Sequence, residues 1–218
     1  MIKVDLISYI ELSCLAIGIY CLAREKKLFW ILALSFQFIV ALTELIGSYL
    51  TFKFHFNLWI YNFFVFCELN YISYGMYQCL KKYTNPRILI YSGLGIIYAF
   101  YLYNFFTKGF GSMPNDTINV MSVIFTIYAL VYYYRLLKDP EFVEIKFHPE
   151  FWWVTAALFY YFGSTVTNLF KPYLPKNFSS FYFLNHFRYS MYVVLSLFLY
   201  SIWSYSFICR AKQRKLSS

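Results

Sequence analysis

The stretch FSSFYFLNHFRYSMYVVLSLFLYSIWSYSFIC, Phe178 to Cys209, decides the fold. Read as one helix it extends roughly 48 Å at 1.5 Å per residue, which exceeds a bilayer hydrocarbon core of about 30 Å. It also carries Arg188, the one arginine inside an apolar segment, just beyond Asn185 and His186. A guanidinium at bilayer depth costs roughly 2.5 to 3.5 kcal/mol on insertion scales, so Arg188 is expected to face protein and to meet a counter-ion. Glu11, Glu44 and Glu68, all within apolar runs, are the partners on offer.

Working outward from that stretch, six more windows have the length and apolar content of a spanning helix: Leu6 to Ala23, Leu28 to Leu50, Asn57 to Leu80, Arg87 to Phe106, Thr117 to Leu137 and Phe151 to Phe170. The composition agrees, since 61% of the 218 residues are hydrophobic and 13% charged, too apolar for a water-facing surface of the usual kind. The expectation is an all-α, polytopic integral membrane protein, a bundle of seven transmembrane helices over residues 1–209 followed by a basic tail, 210–218. The connections leave no room for a folded soluble domain, so any binding or chemistry falls inside the bundle or at its rims.

Net charge of +9 does not point to nucleic acid, because the basic residues are sorted by side. With seven alternating spans, one side collects 13 of the 19 Lys and Arg, in Arg24 to Lys27, Lys81 to Arg87, Arg135 to Lys146 and Arg210 to Lys215; the other collects five. The positive-inside rule then sets the N-terminus outside and the C-terminus in the cytoplasm. The five cysteines (14, 21, 67, 79 and 209) form no CxxC pair and read as core thiols. Asp5 and Glu11 interrupt the first apolar run, and no small-residue cleavage site follows, so it reads as a retained helix rather than a signal peptide.

The polar residues of these windows fall on faces. Ser8, Glu11 and Gly18 share one, Gln37 and Glu44 another, and Tyr61, Glu68 and Gly75 recur every seven residues on a third. Lipid offers such groups no partner, so they should turn inward. On the expected topology Glu11, Glu44, Asn62, Asn185, His186 and Arg188 lie in the outer half with Glu68 as the floor. That placement predicts an outward-facing polar pocket holding an excess of acid and an Arg188–Glu44 ion pair. The acid excess suits protons, a cation or a hydroxyl-rich ligand.

Several chemistries are excluded by what is missing. The last window has no lysine for a retinal Schiff base, and His55, His148 and His186 are too scattered for a zinc site. No metal motif, serine nucleophile elbow or Pro-Gln pair occurs, so no metal, no cofactor and no catalytic residue is expected. Three readings stand in order: a receptor-like or accessory module, a small-solute or proton-coupled transporter, and an intramembrane lipid-modifying enzyme.

The run Asn57 to Leu80 centred on Glu68, Phe151-Trp152 followed by Tyr161-Phe162-Gly163, and a long last helix with Asn185 and His186 resemble small bacterial seven-transmembrane-helix proteins. Some of these accompany or are fused to sensor histidine kinases. The resemblance implies a sensing role in a bacterial inner membrane, with a histidine kinase or other membrane partner. The remaining partners expected are membrane lipids, a small ligand in the pocket and a second copy of the chain, with no nucleic acid.

Overall fold

The computed structural model describes residues 6–54, 56–139, 144–170 and 178–216, without the side chains of 170 and 178–188. Among them lie seven α-helices: α1 (Leu6–Leu22), α2 (Leu28–Phe54), α3 (Leu58–Leu80), α4 (Arg87–Lys108), α5 (Asn115–Lys138), α6 (Pro149–Phe170) and α7 (Phe178–Leu216). A single 3-10 turn, Ile145–Phe147, precedes α6. The helices start and stop where the chemistry requires. Pro149 opens α6 at a position whose missing N–H costs nothing, and the His148 imidazole nitrogen Nδ1 accepts the Phe151 N–H at 3.1 Å as the cap of that helix. Gly109 ends α4 with φ 74, a positive φ that suits a residue without Cβ.

The expectation of seven membrane spans is corrected by the helices themselves. Among the described residues four are long and apolar enough to cross a membrane: α2, α4, α5 and the Tyr189–Leu216 part of α7, with mean hydropathies of 2.0, 1.5, 1.6 and 1.6. α1 is apolar but has only 17 residues, about 25 Å of helix against a core of about 30 Å. α3 and α6 are long enough in residues, yet amides, hydroxyls and, in α3, Glu68 leave them less apolar than the four that qualify. The physical reason is the polar side chains inside these two helices, Asn62, Glu68, Asn70 and Gln78 in α3 and Thr155, Ser164, Thr165, Thr167 and Asn168 in α6, each of which needs a partner that lipid does not supply. The orientation inferred from alternating spans loses its basis with the count. What stands is a multi-pass, all-helical membrane protein.

Packing explains how the two less apolar helices are accommodated. α3 lies against α2, α4, α5 and α6, and α6 lies against α5 and α7, so α3 and α6 meet with more apolar helices around them; α7 also packs on α1. The outer faces of α2, α4 and α5 present Phe38, Leu42, Ile96, Phe100, Ile127 and Leu130, as lipid contact requires. Inside, the core is an aromatic stack. Phe36 stacks on Tyr71 at 4.3 Å, Trp153 lies parallel to Trp203 at 5.9 Å, and Tyr71 meets both tryptophans edge to face. The polar edges are satisfied, since Trp153 Nε1 donates to the Tyr71 hydroxyl at 3.0 Å and Trp203 Nε1 to the Trp153 carbonyl at 3.2 Å. Gly75 makes the stack possible, because a methyl group there would overlap the Trp153 ring.

One end of the bundle is basic and clamped. Glu25, in the turn between α1 and α2, is 2% exposed at its side chain and forms a forked ion pair with Arg210 of α7, Oε2 to Nε at 2.7 Å and Oε1 to Nη2 at 3.0 Å. Its Oε1 also accepts the backbone N–H groups of Lys26 and Lys27. Arg214 lies 3.9 Å from the same carboxylate and donates to the Cys21 carbonyl. Burial opposes ionisation of Glu25, but the Arg210 hydrogen bonds and the two backbone donors outweigh it and hold the carboxyl down to about 2. Nearby, Lys82 pairs with Glu150 at 3.0 Å, and Lys146 supplies a carbonyl to Trp152 and Tyr205. The expected basic tail is therefore continuous with α7 as far as Leu216 and is anchored through Arg210 and Arg214.

Candidate functional site

The polar faces read from the sequence meet in a cavity of about 220 Å³ between α1, α2, α3, α6 and α7. α1 brings Glu11, α2 brings Thr43 and Glu44, α3 brings Tyr61 and Glu68, α6 brings Tyr160 and Tyr161, and α7 brings Tyr192, Ser196, Tyr200 and Trp203. Helical spacing accounts for the α7 set, since residues 192, 196, 199, 200 and 203 recur at three- and four-residue steps and so share a face. Phe36, Leu199 and Trp203 border the cavity, and Phe36 and Trp203 belong to the aromatic stack that separates it from the basic end.

Glu11 and Glu68 each accept a hydrogen bond from a tyrosine. The Tyr200 hydroxyl donates to Glu11 Oε1 at 3.2 Å and Tyr161 donates to Glu68 Oε1 at 2.7 Å. The Tyr61 hydroxyl lies over Gly47, whose lack of a side chain leaves room for it. The fit is incomplete at one atom: Glu11 is 5% exposed, and its Oε2 has no hydrogen-bond partner among the described residues. Buried polar atoms are seldom left in that condition.

A second cavity of about 320 Å³ adjoins the first, and Tyr61, Phe64, Glu68, Tyr160, Tyr161 and Tyr192 line both. Its other residues include Asn115, Asn119, Ser122, Ser164 and Asn168, neutral groups in place of the acids of the first. Asn168 accepts a hydrogen bond from Tyr192 at 3.3 Å. Glu68 and its tyrosine thus stand at the partition between an acidic chamber and a neutral one.

No protein-family model, curated protein or solved structure matches the chain.

Of the site residues read from the sequence, Glu11, Glu44 and Glu68 are brought together. Asn62 is not with them. Its amide donates to the carbonyls of Leu58, Phe110 and Ser112, at 3.3, 2.8 and 2.7 Å, and ties α3 to the α4–α5 connection, a structural use for a group expected in the pocket. The side chains of Asn185, His186 and Arg188, and with them the Arg188–Glu44 pair, lie outside the described residues. Two features went unread. Tyr160 and Tyr200 read as apolar rings in the sequence, yet both line the cavity and Tyr200 brings its hydroxyl to Glu11. Glu25 sits in a short turn, where a lone acid in the basic run Arg24 to Lys27 is the one sequence signal for a paired carboxylate. Among the described residues no group of three or more His, Cys, Asp or Glu side chains is placed to hold a metal ion.

Proposed function

We propose that the chain is a receptor-like or accessory module of a bacterial inner membrane that binds a small ligand in the acidic cavity and passes the change to a membrane or cytoplasmic partner. The observation that carries this reading is the placement of α7. One helix supplies Tyr192, Ser196, Tyr200 and Trp203 to the cavity and, seven residues beyond Trp203, the Arg210 that clamps Glu25. That separation is about 10.5 Å along the axis and returns to nearly the same helix face. A ligand that shifts Trp203 acts on a packed aromatic stack and, through it, on the seating of α7 at the basic end. Packed interiors transmit such displacements because they have little free volume to absorb them.

The stack also separates this reading from transport. Phe36, Tyr71, Trp153 and Trp203 fill the core between the cavity and the basic end, which suits binding on one side better than passage across.

The test is made on purified protein in lipid nanodiscs and in sealed proteoliposomes. A binding module gives saturable, ligand-dependent tryptophan fluorescence, lost in Trp203→Phe, together with altered protease or label access at 210–216. Saturable accumulation of the same ligand inside proteoliposomes would replace this reading with the transporter.

A further inference from the structure

We propose that the groove between α1 and α7 at the basic end of the bundle binds one anionic glycerophospholipid, its phosphate on Lys212 and Lys215 and the upper part of an acyl chain between the two helices. This site is separate from the acidic cavity and does not depend on the function proposed for it. The groove has a volume of about 510 Å³ and is walled by Ala16, Ile17 and Tyr20 of α1 and by Ile208 and Ala211 of α7, with Lys212 and Lys215 in the same lining. The end of α1 fixes its level. The Arg214 guanidinium donates to the Cys21 carbonyl, in the last turn of α1, at 3.3 Å, so Lys212 and Lys215 stand where the apolar helix stops and its basic flank begins. From that level Ile17 lies about 6 Å and Ile208 about 9 Å farther along their helices, toward the apolar part of the bundle. The lining therefore runs from charged to apolar over the distance that separates a headgroup from the first part of its acyl chain.

Charge selects the lipid. Lys212 and Lys215 are exposed and three residues apart, hence on one face of α7, and their stems can follow the apolar wall while the ammonium groups reach the headgroup layer. Among the described residues Lys212 has an aromatic contact, its Nζ 5.8 Å from the Phe147 ring, and no ion pair. The nearby acids do not cancel this charge. Glu25 is buried and already committed to Arg210, and Glu144 lines the hollow on the other flank of the two lysines, with Phe147 and His148, but not the groove. The α1–α2 turn adds exposed Arg24, Lys26 and Lys27 at the same end. Such a mouth attracts a phosphate whose headgroup is net negative and gains less from phosphocholine, which brings an ammonium of its own. The apolar walls decide for a lipid over a free anion, because only a lipid supplies a chain to cover them.

The test uses the full chain, delipidated in a non-ionic detergent, with native mass spectrometry to count bound lipid. Dioleoyl phosphatidylglycerol and dioleoyl phosphatidylcholine are the probes, alike in their chains, and sodium phosphate is the soluble anion. Three variants separate the contributions. Lys212→Gln with Lys215→Gln removes the charge, Ala16→Trp fills the groove from an exposed position, and Lys26→Gln with Lys27→Gln removes the same charge from the turn. The wild type should hold phosphatidylglycerol about tenfold or more tighter than phosphatidylcholine. The α7 pair should weaken it about fivefold per lysine, Ala16→Trp should weaken it comparably, and the turn pair should weaken it about twofold or less. Equal retention of the two lipids overturns the proposal. Equal losses from the two lysine pairs overturn it in favour of a diffuse basic end, and unchanged binding in Ala16→Trp removes the groove from it. Displacement of the lipid by millimolar sodium phosphate makes the lysines a free-anion site. Should the α7 pair fail to fold, the lipid comparison in the wild type and Ala16→Trp still decide.

Discussion

Removing the Glu25 carboxylate tests the clamp at the basic end of the bundle. In Glu25→Gln the Arg210 guanidinium, 8% exposed, keeps its burial and loses its only forked partner among the described residues. Stranding one member of a buried pair costs about 3 to 5 kcal/mol. Proton linkage gives an independent figure. The Glu25 carboxyl sits at about 2 when folded against an ordinary 4.5, and that depression is worth about 3 kcal/mol at neutral pH. Because the folded-state value is the lower one, the stabilisation is complete above pH 4.5, declines as the pH falls, and is gone below about 2. Reversible unfolding in detergent micelles, followed by circular dichroism, should show Glu25→Gln destabilised by about 3 kcal/mol at pH 7 and the gap from wild type closing between pH 4.5 and 2. Arg210→Met should cost less, since the Lys26 and Lys27 N–H groups still serve the carboxylate. The double variant should recover at least about 1 kcal/mol relative to the sum of the singles. Additive single costs, or a gap that does not change with acid, would refute the clamp.

Three further outcomes follow from the packing. Gly75→Ala drives a methyl group into the Trp153 ring and should destabilise the bundle by about 1 to 3 kcal/mol, with a change in tryptophan fluorescence as the stack yields. Asn62→Ala removes the amide shared by Phe110 and Ser112 and should cost about 1 to 3 kcal/mol, with faster hydrogen exchange confined to the α4–α5 connection and unchanged ligand binding. Tyr161→Phe takes the donor from Glu68 Oε1 and should lower stability by about 1 to 3 kcal/mol, whereas Tyr133→Phe, whose hydroxyl meets Thr155 away from both cavities, should leave ligand binding as it was.

The all-α, membrane-embedded character was legible in the chain because it follows from local chemistry. Long apolar runs have to satisfy their own backbone in lipid, and a helix does so within one segment. The inward turn of Glu11, Glu44 and Glu68 was legible for a related reason: a polar group on one face of an apolar helix has nowhere else to go. The number of helices able to span is not legible from run length alone, because amides, hydroxyls and Glu68 inside α3 and α6 lower their apolar content, and these two rely on α2, α5 and α7 for cover. Asn62 was assigned to the pocket from its depth alone, and only the path of the α4–α5 connection across α3 shows that its amide is already in use.

By itself, then, the sequence determined which segments are helical and which face of each seeks protein, since periodicity and the cost of polar groups in lipid act within one segment. Partners were decided by the tertiary structure alone. That Glu11 meets Tyr200, Glu68 meets Tyr161 and Glu25 meets Arg210 depends on how helices far apart in the chain are rotated and set against one another. Those rotations come from side-chain packing, above all the Phe36–Tyr71–Trp153–Trp203 stack, whose shape no single segment contains.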